Sequence, residues 1–339
     1  MSIEHQETTS NGGDNHLVNV NAIDVLRVDD QVYAIVGGQD DRLHVYTIEM
    51  DATSSNYGQM SDTPVDTVVD AGSFNLSNLN AIESLEVGGT TYVFAGGTDN
   101  GISSFSIDGA GQLTHADDAT DSSAINITQV YGLSTASIDD GAGGLNHFVF
   151  AVSDGAGENE DDDDGISVFQ VASDGTMTNV DNVIDAGSLE INNPRDVETV
   201  QVDDGAGGVN TFVVVGGNDD GLSVFSVASN GTLTNTDNVS DSGALELSNV
   251  QAVEGFSIDG TSYVVAGGDD DGVSFFEVDT SGNLTSVGNV DDDGTLNLRN
   301  IDDLFVGDYQ GEQVLWVAGN DGGLDAFEIL STAEPANSA

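Results

Sequence analysis

The sequence predicts an all-β fold of six repeated four-stranded antiparallel units, and three observations carry that expectation. Short runs rich in Val, Ile, Phe, Tyr and Thr are cut at regular intervals by Asp-Gly and Asn-Gly turns, the pattern of consecutive hairpins. An apolar run closing on Gly recurs: YAIVGG from Tyr33, YVFAGG from Tyr92, FVVVGG from Phe212 and YVVAGG from Tyr263, with FVFA from Phe148 and VLWVAG from Val314 as looser copies. The apolar residue that opens each unit sits at Leu17, Leu76, Ile127, Ile191, Leu247 and Leu298, so successive units are 59, 51, 64, 56 and 51 residues apart. Four strands with their connections need about 40–50 residues. Each step therefore holds one unit plus loop insertions.

The fifth unit shows the elements in order. Asn249–Ile258 reads as a first strand and Ser262–Gly268 as a second; Asp269–Gly272 turns the chain into a third strand, Val273–Val278. Thr280–Asn283 turns it again into a fourth, Leu284–Val290. The second strands are apolar on both faces, as strands between two packed layers must be. Units stacked face to face around an axis create that environment in every repeat, which is the β-propeller. Residues Met1–Val20 align without a gap on Gly231–Val250, with Ile3 on Leu233 and Leu17 on Leu247. The expectation is a single six-bladed propeller over residues 1–330, with residues 2–8 completing the last blade and 331–339 forming a tail. The longest insertions are Asp51–Pro64 and Gly155–Asp164.

The 339 residues carry 60 acidic side chains against four arginines and no lysine, a formal net charge of −56. Such a chain repels nucleic acid and anionic membranes. At low ionic strength it also repels itself, and molar salt screens that repulsion. Composition thus points to a high-salt setting with salt cations as counter-ions: a virion or the cell surface of a halophile, or alternatively a halophilic cytoplasm. Cysteine is absent, which excludes disulfides and a thiol nucleophile. No run approaches the ~20 apolar residues of a membrane span, and the first residues lack the basic start and apolar core of a secretory signal.

The decapeptides FSVASNGTLT from Phe225 and FEVDTSGNLT from Phe276 resemble the repeats of lactonase-like propellers, above all the Asp/Gly-rich forms in bacterial surface proteins. The resemblance spans nearly the whole chain and implies the propeller fold. In the phosphogluconolactonase-like members a Pro-Arg-His opens an inner strand with its basic residues toward the substrate. Here Asn193-Pro194-Arg195-Asp196 stands in that place, with Asp196 where the histidine belongs. An enzyme of that type would use Arg195, Asp196 and Glu198.

Other candidates come from the residues themselves. Asn289, Asp291, Asp293 and Asn297 offer oxygen ligands at alternate positions around Gly294, a calcium-like string. Asn19, Asn78, Asn193, Asn249 and Asn300 recur at the starts of the first strands. Five positions later stand Asp24, Glu83, Glu198 and Glu254, with Ser134 and Phe305 in the other two units. If they point into a central channel, carboxylates and amides line it. Tyr57 and Met60 in the Asp51–Pro64 insertion are candidate partner contacts, since insertions can vary without breaking blades. GxSxG, HExxH and phosphate-loop motifs are absent from the sequence. The main expectation is a non-catalytic docking module that recognises a protein or glycan partner. The alternatives are a lactonase-like hydrolase with a channel-top divalent cation, and an adhesion module that takes calcium as its cofactor.

Overall fold

The computed structural model describes residue 17 and residues 19–70, 72, 74–122, 125–155, 164–292, 294, 296–309, 312–319 and 323–329. Among them the chain is all-β and has the fold of a six-bladed β-propeller. Blade 1 consists of β1 (Val20–Val28), β2 (Gln31–Gly38), β3 (Arg42–Ile48) and β4 (Asp66–Val69). Blade 2 consists of β5 (Ala81–Val87), β6 (Thr90–Gly96), β7 (Gly101–Ile107) and β8 (Leu113–Thr120). Blade 3 follows as β9 (Val130–Asp139), β10 (Leu145–Ser153), β11 (Gly165–Val171) and β12 (Met177–Ile184). Blade 4 holds β13 (Pro194–Asp203), β14 (Val209–Gly217), β15 (Gly221–Val227) and β16 (Leu233–Ser240). Blade 5 holds β17 (Ala252–Ile258), β18 (Thr261–Gly267), β19 (Gly272–Val278) and β20 (Leu284–Asp291). Blade 6 has β21 (Ile301–Tyr309), β22 (Glu312–Gly319) and β23 (Leu324–Ile329). Each sheet is a meander in strand order, four-stranded in blades 1 to 5 and three-stranded among the described residues of blade 6. The segment expected to complete it, residues 2–8, lies outside the described residues, as does most of Gly155–Asp164.

The chain divides into two compact units. The first carries blades 1 to 3, except that residues 138–143, 164–166 and 183–184 group with the second, which carries blades 4 to 6. Within each unit the apolar faces of neighbouring blades meet. Tyr33, Ile35 and Val45 of blade 1 pack with Val93, Ala95 and Phe105 of blade 2. Phe212, Val214 and Val224 of blade 4 pack with Val264, Phe276 and Val278 of blade 5. The second strands are buried on both faces as expected, β14 being covered from Thr211 to Gly217.

The Gly-Gly ends of the second strands follow from that packing. A Cβ on Gly96 would sit 2.7 Å from Val130 Cγ1 of the next blade. The glycine therefore lets the following first strand close in. The strand starts correct one expectation: the first strand of blade 5 begins at Ala252, not Asn249. Asn249 has φ 47°, a left-handed conformation that Asn tolerates and that a strand cannot continue through.

A second device joins the outer strands. Asp66 Oδ2 accepts the Leu113 N–H, Asp117 Oδ2 the Met177 N–H and Asp237 Oδ2 the Leu284 N–H, each at 2.8 Å. In each case the donor opens the next blade's fourth strand. A register shift beside Asp117 and another beside Asp237 mark β-bulges, which re-aim a side chain in this way. Replacing Asp237 with alanine leaves the Leu284 N–H without that acceptor. The expected loss is about 1–2 kcal/mol in denaturant titration; a change below about 0.5 kcal/mol would show the tie to be incidental.

Candidate functional site

The first strands of neighbouring blades lie side by side within each unit, linked by the carboxylates that the sequence places on them. In the second unit Asp196, on β13, accepts the Val197 N–H on Oδ1 and the Val253 N–H of β17 on Oδ2, both at 2.8 Å. Glu254, on β17, accepts the Val306 N–H of β21 on Oε1 at 3.0 Å. Each carboxyl therefore holds the next first strand by its backbone. In the first unit Asp24 bonds to the Ser84 side chain. Glu83 in turn accepts the Thr135 hydroxyl at 3.2 Å.

Burial removes water from these groups and disfavours their charged form. Asp196 is pushed up to about 7, first by desolvation and further by the Asp303 carboxylate, against the pull of its two N–H donors. Glu254 is also pushed up to about 7, by desolvation and then by Asp196 and Asp303. Desolvation raises Asp303 and Asp24 as well. The outcome is three mutually repelling carboxyls, Asp196, Glu254 and Asp303, on consecutive first strands, two of them poised near neutral pH.

Arg195 is half-buried one residue before Asp196. Glu198 runs along Gly255 of β17, where an added Cβ would lie 3.1 Å from its Oε1. In the sixth unit the corresponding position is Phe305, 59% exposed, its ring 5.7 Å from that of Trp316.

The recurring asparagines share a left-handed backbone, and Asn19, Asn78 and Asn249 make local amide bonds. Asn19, Asn78, Asn193, Asn249 and Asn300 all have φ between 43° and 47°. The Nδ2 of Asn19 donates to Gln39 Oε1, that of Asn78 to Thr98 Oγ1 and that of Asn249 to Asp269 Oδ2, all in the turn after the second strand of the same blade. That of Asn193 donates to Asn192 Oδ1. The acidic turns are occupied in the same way. Asp99, Asp219 and Asp270 accept the N–H of Ser77, Asn192 and Ser248 in their own blades. Asp41, Asp164 and Asp220 accept the N–H of Asn78, Asn193 and Asn249.

The calcium-like string is drawn apart. Asn289 Nδ2 donates to Asp291 Oδ1, while the Asn297 backbone N–H donates to Asp325 Oδ2 on β23. Asp291 also bonds to Glu246, which desolvation and this neighbour push up to about 7. Asp293 lies outside the described residues. Among the described residues no three His, Cys, Asp or Glu side chains are grouped to hold a metal ion. The described histidines are engaged locally: His44 with Asp40 and Thr67, His115 with Asp118, and His147 with Ser137.

The Asp51–Pro64 insertion is closed by backbone bonds from Gly58 to the Glu49 carbonyl and from Glu49 to the Gln59 carbonyl, at 2.7 and 2.9 Å. Below it lies a cleft of about 480 Å³ lined by Met60 among other residues, whereas Tyr57 is 47% exposed on the loop and is not among the lining residues.

No family model and no curated protein matches the sequence. Solved structures do. A protein from Lactobacillus plantarum aligns with a TM-score of 0.56 at 16% identity, over 91% of this chain and 83% of that one. The periplasmic gluconolactonase of Pseudomonas aeruginosa aligns with a TM-score of 0.62 at 17% identity, over 91% of this chain and 80% of that one. At such identities the likeness establishes that this chain shares their fold.

Proposed function

We propose that the chain is a lactonase-like hydrolase that opens a neutral cyclic ester with the first-strand carboxyls of its second unit. The observation that carries this reading is the pair Asp196 and Glu254, on adjacent strands and both held near pH 7. The likeness to a gluconolactonase supports the reaction class, whereas fold alone says little about chemistry. Glu254, which spends one oxygen on the Val306 N–H, is the carboxyl suited to both halves of an ester hydrolysis, while Asp196, whose two oxygens both hold backbone N–H groups, helps to raise the Glu254 pKa. As carboxylate Glu254 takes a proton from water while the water oxygen attacks the ester carbon. As carboxylic acid it returns that proton to the ring oxygen when the tetrahedral adduct collapses to a hydroxy acid. Repulsion between Asp196 and Glu254, with Asp303 adding to it, opposes their ionising together. A neutral lactone meets little of the charge barrier that a phosphorylated sugar would, and the anionic product is repelled from a chain of net charge −56. This hydrolysis uses no divalent cation, and among the described residues no three acidic or histidine side chains are grouped to hold one.

The test is hydrolysis of glucono-δ-lactone above its spontaneous rate, followed by proton release with and without calcium. Glu254→Gln and Asp196→Asn are each expected to lower kcat/KM by about 100-fold or more, and Arg195→Ala to raise KM. Wild-type activity should rise with pH through about 7 as the base form is populated. Turnover no faster than the buffer, or unchanged in both carboxyl variants, overturns the hydrolase reading. The docking-module reading, on a virion or cell surface in high salt, then stands on the ordered Asp51–Pro64 insertion.

A further inference from the structure

We propose that the cleft beneath the blade-1 insertion is a binding site for a neutral oligosaccharide, separate from the carboxyl site. In blades 2 to 5 the connection between third and fourth strands is a short turn closed by one pair of backbone bonds, such as Asp108 N–H to Gln112 and Gly111 N–H to Asp108. These turns serve packing: Gly111 fits under the Tyr33 ring and Gly282 under the Phe212 ring of the preceding blade. Blade 1 departs from the repeat. Its connection runs from Glu49 to Val65 and folds back on β3, with Ser61 N–H bonded to the Thr47 carbonyl and an isolated bridge between Ile48 and Met60. Blade construction does not need this extra chain, and it encloses a cleft.

The volume, about 480 Å³, lies within the roughly 300–1,000 Å³ of small-molecule sites. The lining decides the ligand class. Gln31, Asn56 and Gln59 bring amides to the lining, Thr47 and Ser61 hydroxyls, and Glu49 and Asp62 carboxylates. The Gln31 amide already donates to the Val32 and Ile48 carbonyls and the Ser61 hydroxyl to the Thr63 carbonyl, so the acceptor oxygens and the exposed Asn56 amide carry the recognition. Ile48 and Met60 are the apolar members, too few for a hydrophobic ligand. No arginine or lysine lines it, so an anionic ligand would enter against both the local carboxylates and the net charge. Amides donate and accept, and carboxylates accept from paired donors. Together they match the adjacent hydroxyls of an uncharged sugar. Tyr57, 47% exposed on the same loop, offers a ring at the rim on which a sugar face can stack.

The experiment is binding of the full chain, in about 1 M potassium chloride to screen its charge, to immobilised neutral oligosaccharides of hexose and N-acetylhexosamine, with sialylated and sulfated oligosaccharides as the anionic arm. The affinity of the strongest neutral binder is then measured by calorimetry. Asn56→Ala and Gln59→Ala are each expected to weaken it about tenfold, the loss of one hydrogen bond to a ligand. Asn56 is exposed, so its truncation leaves the fold intact and keeps the test decisive even if Gln59→Ala loosens the loop. Retention of no neutral oligosaccharide, preference for the anionic arm, or full affinity in Asn56→Ala overturns the proposal. A lack of lactone turnover leaves it untouched, because the two sites share no residue.

Discussion

Gly268→Ala is expected to destabilise the protein by about 3 kcal/mol, whereas Gly288→Ala is expected to be nearly neutral. Gly268 follows β18 and lies against the turn that opens its own blade. A Cβ there would meet the Ser248 carbonyl oxygen at 2.5 Å and the Asn249 carbonyl carbon at 2.8 Å, with the Asn249 oxygen closer still. These are backbone atoms, and no rotamer change relieves the overlap. The turn is fixed as well: the Asp269 N–H donates to the Ser248 carbonyl and the Gly268 carbonyl accepts the Ile301 N–H of blade 6. The methyl must therefore displace a turn or push neighbouring blades apart, the upper range of overpacking costs. Gly288, in β20, has nothing within 4 Å of such a Cβ, and its φ is ordinary. Thermal melting checks the pair. About 3 kcal/mol corresponds to a fall of roughly 4 °C for a chain of this length. Equal melting temperatures for the two variants would show that the double glycine reflects turn preference alone. Gly97 makes the same approach to its own turn, 2.5 Å from the Asn78 oxygen, so Gly97→Ala should behave like Gly268→Ala.

The same residues show how far the sequence reaches. Blade number, strand order and buried second strands were legible because an apolar run recurs six times, closed by Gly-Gly in four of its copies and followed by an acidic turn. What the acids and amides do was less legible, because one residue type serves several ends. The recurring Asn looked like a channel ring; all five take a left-handed φ, and the amides of Asn19, Asn78 and Asn249 bond to turns of their own blades. Sequence could not choose between these, since both require a short amide at the same position. The turn aspartates looked equally apt for cations, yet Asp219 and Asp220 each accept a backbone N–H.

One signal in the sequence was overlooked. An Asp stands four residues after the apolar start of the fourth strand in LTHAD, MTNVD and LTNTD, and the fifth repeat has Gly288 instead. Asp117 and Asp237 from that set prove to be ties to the next blade. Asp196 and Glu254 were named apart, one beside Arg195 and Glu198 and the other in the channel set, and neither their pairing nor its poise near neutral pH was foreseeable. The poise depends on burial and on Asp303, which approaches from a strand more than a hundred residues away.

Salt and acid are both expected to stabilise the protein, by different routes. Raising potassium chloride from about 0.05 M to about 2 M shortens the screening length from well above 10 Å to below 3 Å. With 60 acidic side chains against four arginines, repulsion dominates over ion pairing. Screening should therefore raise the melting temperature by at least about 5 °C, or roughly 3.5 kcal/mol. The acid effect comes from particular groups. Asp196 rises from 3.8 and Glu254 from 4.5, each to about 7, so the folded state binds these protons more tightly than the unfolded chain. Their stabilising contribution is complete below the unfolded values and is lost as pH rises through about 7. Melting temperature should climb as pH falls from 8 toward 5. Below about 4 the trend reverses, because Asp174, Asp204 and Asp279 have pKa values lowered by hydroxyl, amide and backbone donors and lose those bonds on protonation. Glu254→Gln separates the two routes. The amide keeps an oxygen to accept the Val306 N–H but carries no charge, so the variant should melt higher than wild type at pH 8 and show a flatter slope between pH 5 and 8, while its salt response is almost unchanged. A wild-type melting temperature insensitive to salt removes the self-repulsion argument. An unflattened pH slope in Glu254→Gln removes the carboxyl pair as its source.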